Sequence, residues 1–130
     1  MPALRLHGMN HVSFPVRDLE RSLHFYCDVL GLAPLPRPNL PFPGAWLGKD
    51  GIQVHLIVPP EGAPLGAPPP SLNPLAGHVA FTIDDYETVV ATLRAAGLAT
   101  LEAGPEIGQL WVRDPDGHLI ELIQPRPDRA

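Results

Sequence analysis

The sequence has one cysteine, one lysine and no long apolar run. Cys27 has no partner for an intrachain disulfide, and its apolar neighbours predict an inert place on the inner side of a helix. No stretch approaches the ~20 apolar residues that a membrane-spanning helix needs. The first five residues lack the basic region and apolar stretch of a signal peptide. We therefore expect a cytoplasmic protein without a membrane partner.

Clustered positive charge is absent as well. Eight arginines and one lysine are scattered over 130 residues, and the net charge is −5. A nucleic-acid-binding surface requires a basic patch or stripe, so we expect no nucleic-acid partner. The chain is long enough for one compact domain or for two small modules that share a core. Its 45% hydrophobic and 18% charged residues are typical of a globular protein.

Proline, in contrast, is plentiful and unevenly placed. Seven of the 18 prolines fall between Pro59 and Pro74, which predicts a semi-rigid linker. A second proline-rich passage, Pro34 to Pro43, cannot donate freely to a β-ladder and predicts a loop or an irregular edge strand. The expected organisation is a first module over residues 1–58, a linker over 59–75, a second module over 76–124 and a loose tail over 125–130.

Two halves of the chain repeat one pattern. An Asp-Gly turn precedes the apolar strand that contains His55, and the same turn precedes the strand that contains Glu121, 66 residues later. His11 and His78, 67 residues apart, hold matching places at the start of a strand in which apolar and polar residues alternate. Each half therefore presents two side chains with metal-binding chemistry at equivalent positions.

The predicted elements follow the same order in both halves. An alternating strand is followed by an aspartate suited to cap a helix, then by apolar residues at helical spacing and by a glycine that ends the helix. The Asp-Gly turn in each half predicts a hairpin. The order β-α-β-β-β occurs twice, which predicts an α+β fold. The predicted helices cover 19–30 and 86–96, and the predicted strands cover 10–16, 45–47, 52–58, 77–83, 98–102, 109–113 and 119–123.

Strand parity places four side chains on the faces opposite the apolar residues: His11, His55, His78 and Glu121. Two curved sheets that turn these faces towards each other would enclose a cleft. Three imidazoles and a carboxylate suit a divalent transition metal, with Zn, Ni, Fe, Mn and Co all open, whereas calcium and magnesium prefer more oxygen ligands. The residues predicted to line the cleft are Ser13, Gln53, Thr82, Trp46 and Trp111.

A structural role is the alternative for any single histidine, because an isolated strand histidine is more often a structural or surface residue than a ligand. His118 lies three residues before Glu121, so strand alternation points its side chain to the opposite face of the sheet. It is predicted to be structural. His7 and His24 have no counterpart in the repeat and are predicted to be exposed. Only the matched positions in the two halves favour a metal site.

The two histidine strands, the segment from Asp18 to Leu32, and the run from Asp114 through Asp116-Gly117-His118 to Glu121 resemble the vicinal oxygen chelate superfamily. Its members include glyoxalase I, fosfomycin- and bleomycin-resistance proteins, methylmalonyl-CoA epimerase and extradiol dioxygenases. The resemblance extends from about Met9 to Ile123. It implies two βαβββ modules whose curved sheets surround a metal, with ligands on the first and last strands of each module.

The resemblance also implies a homodimer, in which the first module of one chain often completes the cleft with the second module of the other. Glyoxalase I and the epimerase usually have Glu or Gln at the place of His55. The leading functional hypothesis is a metal-dependent, glyoxalase-like enzyme for a small substrate with two adjacent oxygens, with Glu121 as the catalytic base. Isomerase, lyase, epimerase and group-transfer reactions all fit it.

Two other functions are open from the sequence. An Fe(II)-dependent extradiol dioxygenase is one, because two of the histidines together with Glu121 supply the two-His, one-carboxylate ligand set of such enzymes. A protein that binds a small molecule of the antibiotic type without turnover is the other. In that case Trp46 and Trp111 would stack on an aromatic ligand.

Overall fold

A computed structural model describes residues 2–126 of the chain. Two consecutive halves each contain a four-stranded mixed sheet and one helical segment, so the predicted α+β fold with two βαβββ units is confirmed. The first half consists of β1 (Val12–Pro15), α1 (Leu19–Leu23) with a π-helical continuation (His24–Val29), β2 (Ala33–Leu35), β3 (Gly44–Lys49) and β4 (Ile52–Ile57). The second half consists of β5 (Val79–Thr82), α2 (Tyr86–Ala95), β6 (Thr100–Glu102), β7 (Gln109–Arg113) and β8 (Leu119–Ile123).

The two sheets have equivalent topologies. The strand order is β1-β4-β3-β2 in one and β5-β8-β7-β6 in the other. The first strand of each half runs parallel to its last strand, and the other neighbours are antiparallel. His11 and His78 lie directly before β1 and β5. The repeat in the sequence is therefore a repeat in three dimensions.

The predicted helix ends are confirmed. The carboxylates of Asp18 and Asp85 accept hydrogen bonds from backbone N–H groups of the first helical turn, as N-cap residues do. Gly31 and Gly97 adopt φ values of 84° and 76°, in the left-handed region that glycine enters without steric cost.

The first helix differs from the expected continuous α-helix. After Leu23 the backbone widens into a π-helical segment, in which the N–H of Leu30 donates to the carbonyl of Phe25 at 2.9 Å. The wider turn lets the adjacent side chains of Phe25 and Tyr26 both face the interior, where both are buried. Cys27 is half-buried in this segment, and burial raises the pKa of its thiol.

The predicted strand over 98–102 is shorter than expected. Leu98 takes part in the motif that ends α2. Its N–H donates to the Leu93 carbonyl, and the N–H of Gly97 donates to the Arg94 carbonyl, which are the two hydrogen bonds of a Schellman motif. Only Thr100–Glu102 remains free to pair with β7.

The linker residues are all described and form no helix or strand between Ile57 and Val79. The side chain of Arg113 donates to the carbonyl of Pro70 at 3.0 Å and so ties the linker to β7. Of the predicted tail, residues 127–130 lie outside the described part of the chain. None of the described helices has the length and apolar character to cross a bilayer.

One face of each sheet is apolar and contributes to a hydrophobic cluster that includes both halves. The opposite faces carry the polar and aromatic residues of interest. On the first sheet the cross-strand partners Ser13, His55 and Trp46 form one row. On the second sheet Ala80, Glu121 and Trp111 form the equivalent row. These two surfaces are called the open faces below.

The halves meet at a buried carboxylate in the turn between β7 and β8. Asp114 is 4% exposed and accepts the Tyr26 hydroxyl, from the first half, at 2.7 Å. It also accepts the backbone N–H groups of Asp116 and His118, each at 2.9 Å. Burial raises the pKa of the Asp114 carboxyl, although these hydrogen bonds oppose the rise. Burial and the nearby Asp114 charge raise the pKa of the Tyr26 hydroxyl well above its usual range.

Two further contacts connect the halves. The ring of His118 lies within hydrogen-bond distance of the Pro15 carbonyl, at 2.7 Å, and packs on Phe14 with ring centroids 5.0 Å apart. The N–H of Arg17 donates to the side chain of Asp116 at 3.0 Å. These contacts confirm the predicted structural role of His118.

Replacing Tyr26 by Phe removes the hydroxyl that donates to Asp114. We expect the free energy of unfolding at pH 7 to fall by about 1–3 kcal/mol, because a buried carboxylate oxygen loses its donor. Urea denaturation measures the change. Tyr86→Phe is a comparison within one half, since the Tyr86 hydroxyl donates to the neutral Gln109 carbonyl at 3.2 Å and accepts the Gly104 N–H at 3.0 Å. A loss of less than about 0.5 kcal/mol in Tyr26→Phe contradicts the role given to the bond with Asp114.

The pH dependence of stability tests the same site. Because the pKa of Asp114 is raised in the folded state, the folded protein binds its proton more readily than the unfolded chain does. The stabilisation that this protonation gives to the folded state is fully present below pH 3.8, the ordinary pKa of an aspartate. It is lost as the pH rises through the raised pKa that Asp114 has in the folded protein. Asp114→Asn cannot titrate. We expect wild type to gain stability relative to this variant as the pH falls from 7 towards 4, and a constant difference contradicts the prediction.

Candidate metal centre

The open face of the first sheet carries a stack of three aromatic rings. The His55 ring lies between Trp46, with centroids 4.3 Å apart and planes at 4°, and His11, with centroids 3.9 Å apart and planes at 15°. Trp46 and His55 are cross-strand partners on β3 and β4, which is why their side chains meet face to face. His11 reaches the stack from the end of the loop before β1.

His55 is held in a defined orientation. It is 8% exposed, and its Nε2 lies 3.1 Å from the Gln53 side-chain oxygen. Burial, and secondarily the neighbouring His11, lowers the pKa of His55, so the ring is neutral at pH 7. A neutral imidazole is the form that binds metals. The outer ring, His11, is exposed and is 2.8 Å from the Asn10 side-chain oxygen.

The open face of the second sheet is centred on Glu121. This carboxylate is 7% exposed and accepts hydrogen bonds from the Trp111 indole N–H at 3.2 Å and from the Gln109 amide at 3.1 Å. Its Oε1 also lies 3.0 Å from Nε2 of His78. Donors from β7 therefore fix the carboxylate on β8, as supporting residues orient ligands in metal sites.

Both ring nitrogens of His78 face oxygen atoms. Nδ1 is 2.7 Å from the Ala76 carbonyl, and Nε2 faces Glu121. A neutral ring has one N–H and can donate to only one of these acceptors. When Nδ1–H donates to the Ala76 carbonyl, Nε2 presents a lone pair beside the Glu121 carboxylate, and the two groups can bind one ion.

The structure brings the four predicted ligands together in two pairs. His11 contacts His55, and His78 contacts Glu121. Within residues 2–126, no three His, Cys, Asp or Glu side chains converge on a position for an ion. The described chain therefore holds two pairs of candidate ligands, one on each open face, and these pairs are called half-sites below.

The residues predicted to line the cleft lie on the open faces. Ser13 faces His55 in the adjacent strand, and Thr82 is an exposed residue of β5 that pairs with Ile123. Both tryptophans have roles beyond lining: Trp46 stacks on His55, and Trp111 donates to Glu121.

Sequence reasoning missed the supporting roles of Gln109 and Asn10. Gln109 lies two residues before Trp111 on β7, so alternation indicated its face of the sheet but not its hydrogen bond to Glu121. His7 and His24 are exposed, as predicted.

Comparison with known proteins assigns the family. Residues 8–122 match the model of the glyoxalase/bleomycin resistance protein/dioxygenase superfamily. The chain belongs to this superfamily. Glyoxylase I 4 of Arabidopsis thaliana is 37% identical over 125 residues, which cover 92% of this chain and 71% of that protein. Lactoylglutathione lyase of Haemophilus influenzae is 34% identical over 129 residues, which cover 92% of this chain and 94% of that enzyme.

The fold agrees with solved structures of the superfamily. A glyoxalase family protein of Bacillus anthracis superposes with a TM-score of 0.73 at 23% identity, over 96% of this chain and 100% of that chain. The sequence relatives support a glyoxalase-like enzyme. Members of the superfamily such as glyoxalase I use divalent metals.

The donor set of the two half-sites fits such an ion. It combines imidazole nitrogens with one carboxylate that is held by neutral donors. One rearrangement is required for all four side chains to bind. The His11 and His55 planes are nearly parallel, so an ion in the plane of one ring lies outside the plane of the other. His11 is the exposed ring and has room to turn.

A double-mutant cycle tests the ring stack. We expect the substitutions Trp46→Leu and His55→Leu to show a coupling energy of about 0.5–1.5 kcal/mol in urea unfolding, because each removes the face on which the other packs. A control cycle of Trp111→Leu with His55→Leu, on opposite halves, should show coupling below about 0.5 kcal/mol. Equal coupling in both cycles contradicts a specific stack.

Proposed function

We propose that the protein is a metal-dependent, glyoxalase-like enzyme that acts on a small substrate with two adjacent oxygens. The observation that carries the proposal is the buried Glu121 carboxylate, which faces His78 and is held by Trp111 and Gln109. A carboxylate oriented by donors in this way is more than a surface residue on a sheet. Its place is equivalent to that of His55 in the other half.

The proposed ligands are His11, His55, His78 and Glu121, and Zn, Ni, Fe, Mn and Co remain the candidate ions. When bound, the ion supplies a Lewis acid for negative charge that develops on the substrate oxygens. Trp46 and Gln53 hold His55 in place, while Trp111 and Gln109 hold Glu121. The substrate would lie between the open faces, next to Ser13 and Thr82.

A homodimer is part of the proposal, because one chain presents two half-sites. A second copy can supply the complementary pair, so that His11 and His55 of one chain meet His78 and Glu121 of the other. A twofold axis would then generate two identical composite sites.

Glu121 is the proposed proton carrier. Its Oε1 already faces His78 and Trp111, whereas Oε2 accepts only from the Gln109 amide. Oε2 is therefore the oxygen better placed to take a proton from a carbon next to a carbonyl. The low exposure of the carboxylate would keep bulk water from exchanging that proton.

The names of the relatives suggest a first substrate. Lactoylglutathione is a thioester with a hydroxyl next to its carbonyl, and so has the two adjacent oxygens. We expect metal-loaded protein to form S-lactoylglutathione from methylglyoxal and glutathione, followed by ultraviolet absorbance. Glu121→Gln should lower the rate by about 10²–10⁴-fold, the usual contribution of a general base. His24→Ala, a change at an exposed histidine, should leave it unchanged.

Metal content tests the ligand set. Alanine substitution at each proposed ligand should lower the metal found by mass spectrometry, while His24→Ala retains the wild-type content. His55→Ala decides the size of the set. Full occupancy in that variant leaves a three-ligand site of His11, His78 and Glu121.

Mixing two variants that each lack one pair of ligands tests whether the metal site is shared between two copies. One chain carries alanine at His11 and His55, and the other carries alanine at His78 and Glu121. Neither binds metal alone, but refolding them together in equal amounts makes about half of the dimers mixed. Each mixed dimer has one intact composite site, so the metal content should recover to about a quarter of wild type. No recovery contradicts a site shared between copies.

One observation favours an Fe(II) dioxygenase as the second candidate: the His78–Glu121 pair needs only one further histidine to complete a two-His, one-carboxylate set. Oxygen uptake with ferrous iron and a catechol, without lyase activity, would establish it.

A binding protein without turnover would instead retain its ligand after metal removal. In the chain, one face of Trp46 is already covered by His55, which leaves only the other face for an aromatic ligand.

A further inference from the structure

A cavity of about 270 Å³ lies at the junction of the two halves, next to His78. Val12 and Phe14 of β1 line it from the first half, and Val79 of β5 and Leu119 of β8 line it from the second. These four side chains are apolar and at least half-buried. The cavity therefore has an apolar lining to which both halves contribute.

The linker supplies another wall of this cavity. Its half-buried residues Pro68 and Pro69 line the space. Arg113 donates to the Pro70 carbonyl at 3.0 Å, and a Cβ built on Gly117 would lie 3.6 Å from the Pro68 side chain. The proline rings further restrict the backbone of this segment. Contacts with β7 and with the β7–β8 turn thus hold the linker wall in place.

His78 belongs both to the cavity and to the half-site on the second sheet. It lines the cavity, and its Nε2 lies 3.0 Å from the Glu121 carboxylate. The other histidine of the lining, His118, lies with Nε2 at the Pro15 carbonyl. Among the described residues that line the cavity, no other side chain is polar. A molecule whose oxygens are bound at His78 and Glu121 therefore has an apolar space beside it.

Gly77 leaves part of that space unfilled. It also lines the cavity, and a Cβ built on it would meet no heavy atom of a non-neighbouring residue within 4 Å. An apolar cavity of roughly 150 Å³ is already large enough to bind benzene. The volume of about 270 Å³ is therefore sufficient for a phenyl ring or a branched alkyl group.

We propose that this cavity binds a bulky apolar substituent of the substrate, such as a phenyl ring. The inference rests on the proposed function and narrows its substrate class to compounds in which the two adjacent oxygens are attached to such a group. Removing the group from water supplies binding free energy in proportion to its apolar surface. A methyl group at the same place would leave most of the cavity unfilled.

Two hydroxamic acids test the inference, because both present two adjacent oxygens to a metal ion and differ in the attached group. Benzohydroxamate carries a phenyl ring, and acetohydroxamate carries a methyl group. Calorimetric titration compares their binding to metal-loaded wild type, to Val79→Phe, which adds a ring at the cavity wall, and to Val79→Ile, which adds one methyl group. Val58→Phe is the matched control, since Val58 is a half-buried valine that lines a different cavity under the linker.

Wild type and Val58→Phe should bind benzohydroxamate about tenfold or more tightly than acetohydroxamate, as expected for burial of a phenyl ring. Val79→Phe should abolish this preference and leave acetohydroxamate binding unchanged. Val79→Ile should reduce the preference, and it decides the matter if the larger ring prevents folding. The inference is wrong if wild type shows no preference, if the Val79 variants keep it, or if they weaken both probes equally.

Metal-free protein separates this inference from the proposed function. Benzene should bind metal-free wild type and shift the NMR signals of the Val12 and Leu119 methyl groups, and Val79→Phe should bind it more weakly. A protein that takes up no metal, or that binds neither hydroxamate when loaded, refutes the proposed function. If benzene shifts neither methyl signal, the assignment of the cavity is refuted whatever the metal content.

Discussion

The buried carboxylate of Asp114 is the interaction on which the arrangement of the two halves depends. A desolvated carboxylate is costly unless donors compensate it, and the three donors here come from both halves: the Tyr26 hydroxyl and two N–H groups of the β7–β8 turn. The Tyr26 hydroxyl reaches the carboxylate only when the halves are docked, and even then burial keeps the pKa of Asp114 raised. The shape of that turn, the π-helical segment that presents Tyr26 and the orientation of the open faces therefore form one cooperative unit.

The two half-sites are equivalent in position and different in chemistry. The first is aromatic and uncharged, with His55 between two rings, and the second is a carboxylate with donors around it. Trp46 and Trp111 occupy the same place in their rows but support their neighbours differently, by stacking in one half and by an N–H donor in the other. A catalytic ion of this kind usually has three or more protein ligands, and each half supplies two candidates. In the proposed function, a second copy of the chain completes the set.

Much of this was predictable because it depends on local chemistry. Period-two alternation placed Ser13, His55 and Glu121 on the faces away from the core, and the aspartates and glycines that bound the helices act through their own backbone neighbours. The hydrogen bond from Gln109 to Glu121 was missed for a physical reason, because cross-strand register decides which amide reaches the carboxylate.

The sequence by itself determined the fold class, the duplicated halves, the polarity of each sheet face and the family, because all of these follow from periodicity and from residues close together in the chain. Tertiary structure alone decided that Tyr26 reaches Asp114, that His11 stacks on His55, and that the four candidate ligands divide into two pairs. Those contacts join residues far apart in the chain. Strand pairing within each half sets the two ligand pairs, and the packing of one half against the other sets the contact of Tyr26 with Asp114; no local pattern encodes either.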